Sequence, residues 1–126
     1  MIQIDRIRLT AVAKNQLITL KRKTGINHYN TLCRYAFCLS LANEAIPPIE
    51  NLNFNGGIDI DWRTFTGGNE VLYLNLLLLR GKQDGIAFDE ELSKKILYNH
   101  IHRGLSYLVS MSDTELHQMI TLRCAS

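Results

Sequence analysis

Residues 6 to 45 read RIRLTAVAKNQLITLKRKTGINHYNTLCRYAFCLSLANEA, and this stretch decides the fold. Its opening, together with Ile2 and Ile4, is a short isoleucine-rich segment broken by polar residues. Ile2 and Ile4 share one parity, whereas Ile7 and Leu9 share the other, so a continuous strand would send them to opposite faces. A bulge or break is therefore predicted near Asp5-Arg6. With Ile7 and Leu9 turned to a core, Arg6 and Arg8 point away from it. Thr10 is a suitable N-cap for a helix from Ala11 to Thr24, whose Ala13, Leu17 and Leu20 recur at helical spacing. Lys14 and Lys21, seven apart, lie near one line outside that face, and Arg22 and Lys23 crowd the last turn. Cations there also complement the helix dipole, so part of the cluster has a local explanation. Gly25 supplies the stop, and Asn27 is read as the N-cap of a second helix from His28 to about Ala45. That helix is apolar almost all round, which predicts burial against another subunit.

The remainder is punctuated by Pro47-Pro48, which end the helix, and by the polar, glycine-bearing loop 51–57. Ile58-Asp59-Ile60-Asp61-Trp62 alternates and predicts a short strand or extended piece. Gly67-Gly68 break the chain, and Gly68 or Asn69 caps a leucine-rich helix through Leu79, again apolar nearly all round. A turn is expected over Gly81 to Gly85. Asp89 then caps a long helix from Glu90 to about Ser110, with Leu92, Ile96, Tyr98, Ile101, Leu105 and Leu108 on its buried side. Ser112 or Asp113 caps a final helix to Leu122. No internal repeat is evident. The expected fold is mainly α: a basic ribbon-helix-helix-like unit over 1–46, then a helical oligomerisation or packing part over 47–126, forming one compact domain.

The charge divides at the same place. Residues 1–46 carry seven basic and two acidic side chains, or +5, and residues 47–126 carry seven basic and ten acidic, or −3. The net charge of +2 on 126 residues conceals this asymmetry, which points to a polyanion partner for the basic half. A solvated basic face is the competing explanation. The opening residues lack a charged segment followed by a long apolar one, so no secretory signal is expected. The run Leu76–Leu79 stops at Arg80, far short of the roughly 20 residues that span a bilayer. The odd cysteine set, Cys33, Cys38 and Cys124, has neither redox nor zinc spacing and suggests buried thiols in a reducing cytoplasm. No phosphate-binding glycine loop or metal-ligand motif is present, and no cofactor is expected. His100 and His102, two apart on a helix, diverge, so they are read as packed or as flanking Arg103 at a surface. Asp59, Asp61 and Glu70 imitate a magnesium-nuclease cluster without its supporting lysine. Trp62 is read as a core or interface anchor.

Residues 6 to 45 resemble a ribbon-helix-helix DNA-binding unit. That resemblance implies two chains pairing their strands into an antiparallel ribbon that fits the major groove. It also implies that Arg6 and Arg8 face DNA and that the amides near Asn27-His28 meet phosphate. Over residues 2 to 124 the chain is similar to the DndE family of bacterial DNA phosphorothioation (DNA sulfur-modification) proteins. The residues that carry this are Asp5-Arg6-Ile7-Arg8-Leu9-Thr10, Thr24-Gly25-Ile26, Asp61-Trp62-Arg63-Thr64-Phe65-Thr66-Gly67 and His100-Ile101-His102-Arg103-Gly104-Leu105. The resemblance implies a non-enzymatic subunit that binds double-stranded DNA, recognising backbone structure such as a nick, alongside other sulfur-modification proteins. The phosphate-contacting residues would be Arg6, Arg8, Lys14, Lys21, Arg22 and Lys23. The alternative is an interaction module that docks the ATPase or sulfur-transferase subunit without touching DNA, and a nuclease acting at a nick comes third. A homodimer or tetramer is expected.

Overall fold

The structure, a computed structural model, describes residues 2–87 and 89–125, with side chains through residue 121 except at 88. Its elements are β1 (Arg6–Leu9), α1 (Ala11–Thr24), α2 (Tyr29–Leu41), β2 (Ile58–Asp61), α3 (Trp62–Thr66), α4 (Glu70–Gln83), α5 (Glu90–Ser110) and α6 (Asp113–Ala125). The chain is mainly helical, with one two-stranded antiparallel sheet.

β1 pairs with β2 of the same chain, in the register Arg6 to Asp61, Ile7 to Ile60, Arg8 to Asp59 and Leu9 to Ile58. The expectation that two chains share the ribbon is thereby corrected. The physical reason is complementarity: each core-facing residue of β1 meets an isoleucine, and each arginine meets an aspartate. The parity conflict is resolved at its predicted place. The strand starts only at Arg6, while Ile4 is buried from outside the ladder and the Asp5 carbonyl accepts from Trp62 N at 2.9 Å. Gly57 leads into β2 where a Cβ would collide with the Leu9 carbonyl.

Thr10 Oγ1 caps α1 by accepting from Ala13 N at 3.1 Å, and Gly25, at φ 74°, ends it. α2 begins one residue later than predicted: His28, not Asn27, is its N-cap, and no side chain bonds the cap. It ends at Leu41, short of Ala45, because two arginines take the carbonyls beyond. Arg80 Nη1 donates to Leu41 O at 2.9 Å, and its Nη2 donates to Asn43 O and Ala45 O at 2.9 and 3.0 Å. Arg103 donates to Ser40 O at 2.7 Å and to Ala45 O at 2.6 Å.

Leu32, Cys33, Ala36, Phe37 and Ser40 of α2 are buried within the single chain. α5, at 21 residues, reaches about 31 Å and lies along α2, and α1 and α3 pack against α2 as well. The prediction that α2 needs a second subunit to cover it is therefore corrected. Gly104 of α5 sits directly on the Ala36 backbone.

α3 is a helix for which the sequence reading made no prediction beyond Trp62, which it placed at the end of the extended piece. Asp61 caps it by accepting from Thr64 N at 3.3 Å, Gly67 ends it at φ 63°, and Trp62 and Phe65 enter the core. α4 runs through Gly81 to Gln83, because the anchored Arg80 holds its last turn, and the turn itself comes at Gly85 with φ 75°. Ser112 and Glu115 form a reciprocal cap at the start of α6. Cys33 is fully buried, and desolvation pushes its thiol up to about 12. Cys124 lies outside the described side chains. Among the described residues, no helix is long and apolar enough to cross a membrane.

Candidate nucleic-acid interface

The sequence-predicted cations fall in two groups, Arg6 and Arg8 on the ribbon before α1 and Lys14, Lys21, Arg22 and Lys23 on α1 itself, the last three in its final turn. Arg6 and Arg8 stand on the outward face of the ribbon. Both are engaged with one carboxylate: Arg8 Nε donates to Asp59 Oδ1 at 3.2 Å, and Arg6 Nη1 lies 3.7 Å from Asp59 Oδ2. The Arg8 guanidinium also covers the Phe54 ring, 4.9 Å from its centroid. The ribbon is thus a partly compensated surface.

The other group is uncompensated. Lys21 and Arg22 are exposed in the last turn of α1, Lys23 and Lys14 are half-buried, and none forms an ion pair among the described residues. At about 100° per residue, Lys14 and Lys21 share one stripe, Arg22 stands opposite the buried Ala13-Leu17-Leu20 face, and Lys23 lies on the far flank. Lys21, Arg22 and Lys23 wrap the helix end, Lys14 lies about two turns back along the Lys21 stripe, and the four do not form one plane. Lys21 Nζ is 5.9 Å from the Tyr29 ring centroid, which places its ammonium at the first residue of α2. There the helix start has no side-chain cap, so its first amides are available to an anion.

Several other charged residues are structural. Arg34 donates to Thr64 O and Phe65 O at 3.3 and 2.9 Å, closing α3. Asp61 caps α3 and Asp59 serves the arginines, and no group of three metal-ligating side chains occurs among the described residues. His102 is fixed as the neutral Nδ1–H tautomer: Nδ1 donates to Tyr98 O at 2.6 Å and Nε2 accepts from Thr10 N at 3.1 Å. Burial lowers its pKa. His100 is fully buried, with Nδ1 2.7 Å from Ser40 Oγ, which also accepts from Arg103 Nε at 2.8 Å. Desolvation, helped by the Arg80 and Arg103 charges, lowers His100 to about 4.

The pH consequence has a definite sign. The unfolded imidazole takes a proton near 6.5, whereas the folded one stays neutral to about 4, so stability is full above 6.5 and falls as the pH drops through that window. We expect a loss of about 3 kcal/mol from His100 by the lower end, with His102 adding in the same direction. Urea midpoints measured near pH 7 and pH 5 check this, and an unchanged midpoint would count against neutral buried histidines.

Phe54 and Tyr98 gather beside Arg8, their ring centroids 5.7 Å apart and edge to face. Sequence reading passed over Phe54, although it is the lone aromatic in the polar loop 51–57.

An intrachain ribbon, a cationic helix end and a bundle closed around α2 and α5 define a small helical protein with a polarised basic surface. The chain belongs to the DndE family of the DNA phosphorothioation system: the family described as DNA sulphur modification protein DndE matches residues 6–115. The chain is also similar in structure to DndE from Escherichia coli B7A, involved in DNA phosphorothioation modification. The TM-score is 0.70 and the identity 24%, over 86% of this chain and 100% of that one. A glycine-to-lysine DndE mutant involved in DNA phosphorothioation matches at TM-score 0.66 and 22% identity, over 85% of this chain and 98% of that one. These two likenesses are of fold. No curated protein matches the chain.

Proposed function

We propose that this chain is a non-enzymatic, double-stranded DNA-binding subunit of the phosphorothioation machinery, recognising backbone structure such as a nick. The supporting observation is the unpaired cluster Lys21, Arg22 and Lys23 beside the uncapped start of α2, with Lys21 standing over Tyr29. Ammonium and guanidinium groups next to free amides suit phosphate, and they read no base edge. Lys14 extends the contact along α1. Arg6 and Arg8 contribute from the ribbon, at the cost of loosening their hold on Asp59. Its partners in the cytoplasm are other sulfur-modification proteins.

Each phosphate neutralised releases counterions, so duplex affinity should fall with salt at a logarithmic slope of about −0.9 per contact. Changing Lys21, Arg22 and Lys23 to Ala together should flatten that slope by about 2.7 and weaken binding at low salt, on intact and nicked duplexes alike. Gel shifts across salt provide the measurement. An unchanged slope would remove the cluster from the interface. A chain that ignores DNA yet co-purifies with an ATPase or sulfur-transferase subunit would be a docking module instead.

Self-association belongs to the same proposal. With the ribbon and α2 satisfied internally, exposed apolar side chains remain on α1 (Val12, Ile18), in the loop after α2 (Ile46, Ile49) and on α4, where Val71, Leu72 and Leu79 are 74%, 54% and 56% exposed and supply the face proposed for self-association. Light scattering of wild type and Leu72→Glu tests it, the variant being expected to shift toward monomer.

A further inference from the structure

The cavity beside the ribbon shares Arg6 and Arg8 with the contacts proposed above, but Phe54, Lys95 and Tyr98, which also line it, have no role in them. Its volume is about 490 Å³, within the usual range for a small-ligand site. Tyr98 lines it, with its hydroxyl donating to the Arg6 carbonyl at 3.1 Å, and Phe54 meets the Tyr98 ring edge to face. Arg8 lies over Phe54, and the bond from its Nε to Asp59 fixes the plane of the guanidinium. A pre-oriented guanidinium therefore adjoins the edge-to-face aromatic pair, and the Arg8 side chain is 40% exposed. Arg6 and Lys95 line the same cavity, and Lys95 is exposed without an ion pair among the described residues. Glu50 and Asp5 supply carboxylates to it as well.

These groups select a composite ligand. An aromatic ring stacks on the guanidinium plate. A phosphate suits Lys95 and Arg6. The carboxylates accept from N–H donors such as an exocyclic amine, and they disfavour a bare polyanion. A base paired within a duplex has its ring faces covered by stacking and its Watson–Crick edge taken by its partner. We propose that the cavity binds one unpaired, phosphate-bearing nucleotide, such as the terminal residue of a DNA strand frayed at a nick. This rests on the proposed DNA contact for its biological meaning, but its chemistry can be tested apart from duplex binding.

The probe is deoxyadenosine 5′-monophosphate, titrated against the full chain by NMR, with deoxyadenosine and inorganic phosphate as separate titrants. The nucleotide should bind at least about tenfold more tightly than either part, and Phe54→Ala or Lys95→Glu should each weaken it about tenfold. Lys95 is on the surface, so its variant separates loss of the site from loss of the fold. Absence of saturation up to about 10 mM nucleotide, equal binding of phosphate alone, or an unaffected Lys95→Glu variant would overturn the proposal. Nucleotide binding without any duplex shift would leave the cavity standing and remove the duplex interface. A salt-sensitive duplex shift without nucleotide binding would do the reverse.

Discussion

Gly104→Ala is expected to destabilise the protein by about 3 kcal/mol or more, a large share of the ~5–15 kcal/mol typical of a folded domain. Helix propensity predicts the opposite sign, since alanine is favoured over glycine inside a helix by about 1 kcal/mol. Contact geometry decides the matter. A Cβ on Gly104 would overlap the carbonyl oxygen, carbonyl carbon and Cα of Ala36. Those are backbone atoms of a buried helix, so no rotamer change relieves the clash. α2 and α5 would have to separate along the contact that buries Leu32, Phe37, Ile101 and Leu105. Gly81→Ala is the matched control. Gly81 is also helical, but nothing lies within 4 Å of its added Cβ, so that change should stabilise by about 0.5–1 kcal/mol. Urea unfolding of both variants makes the comparison, and equal midpoints would show that the α2–α5 approach is looser than described.

Arg80→Met should cost about 3–5 kcal/mol, the range for breaking a buried ion pair by removing one partner. The Arg80 and Asp84 side chains are 7% and 8% exposed and pair at 2.9 Å. Removing the guanidinium leaves that carboxylate buried and uncompensated, and strips hydrogen bonds from the carbonyls of Leu41, Asn43 and Ala45. Arg80→Lys should recover little, because one ammonium cannot present the planar fork that spans three carbonyls and a carboxylate. The double variant Arg80→Met with Asp84→Asn should recover part of the loss, and a double-mutant cycle measures the coupling. Additive effects would show that the two side chains act independently.

The ribbon illustrates what was legible and what was overlooked. Arg6-Ile7-Arg8-Leu9 and Ile58-Asp59-Ile60-Asp61 are complementary when laid antiparallel, so the pairing was present in the sequence as charge opposite charge and apolar opposite apolar. It was hidden because the segments lie about fifty residues apart and a two-chain ribbon also accounted for the first strand alone. The predicted basic positions are on the surface or half-buried as local periodicity required, since helix phase depends only on near neighbours. Their division into a compensated pair at the ribbon and an unpaired group at the end of α1 depends on Asp59, which is remote in sequence.

By itself, then, the sequence determined the helical class, the ends of α1, the start of α5, the buried face of α1, part of that of α5 and the concentration of positive charge before Pro47-Pro48. These follow from 3.6-residue periodicity, capping chemistry and composition, all of short range. The tertiary structure alone decided that α2 is covered by α5 within one chain, that Arg34, Arg80 and Arg103 are spent on helix ends, and that Phe54 and Tyr98 meet Arg8 beside a cavity. Those outcomes depend on which distant backbones approach closely enough for a guanidinium or a ring to reach them, and local pattern carries no distance between remote segments.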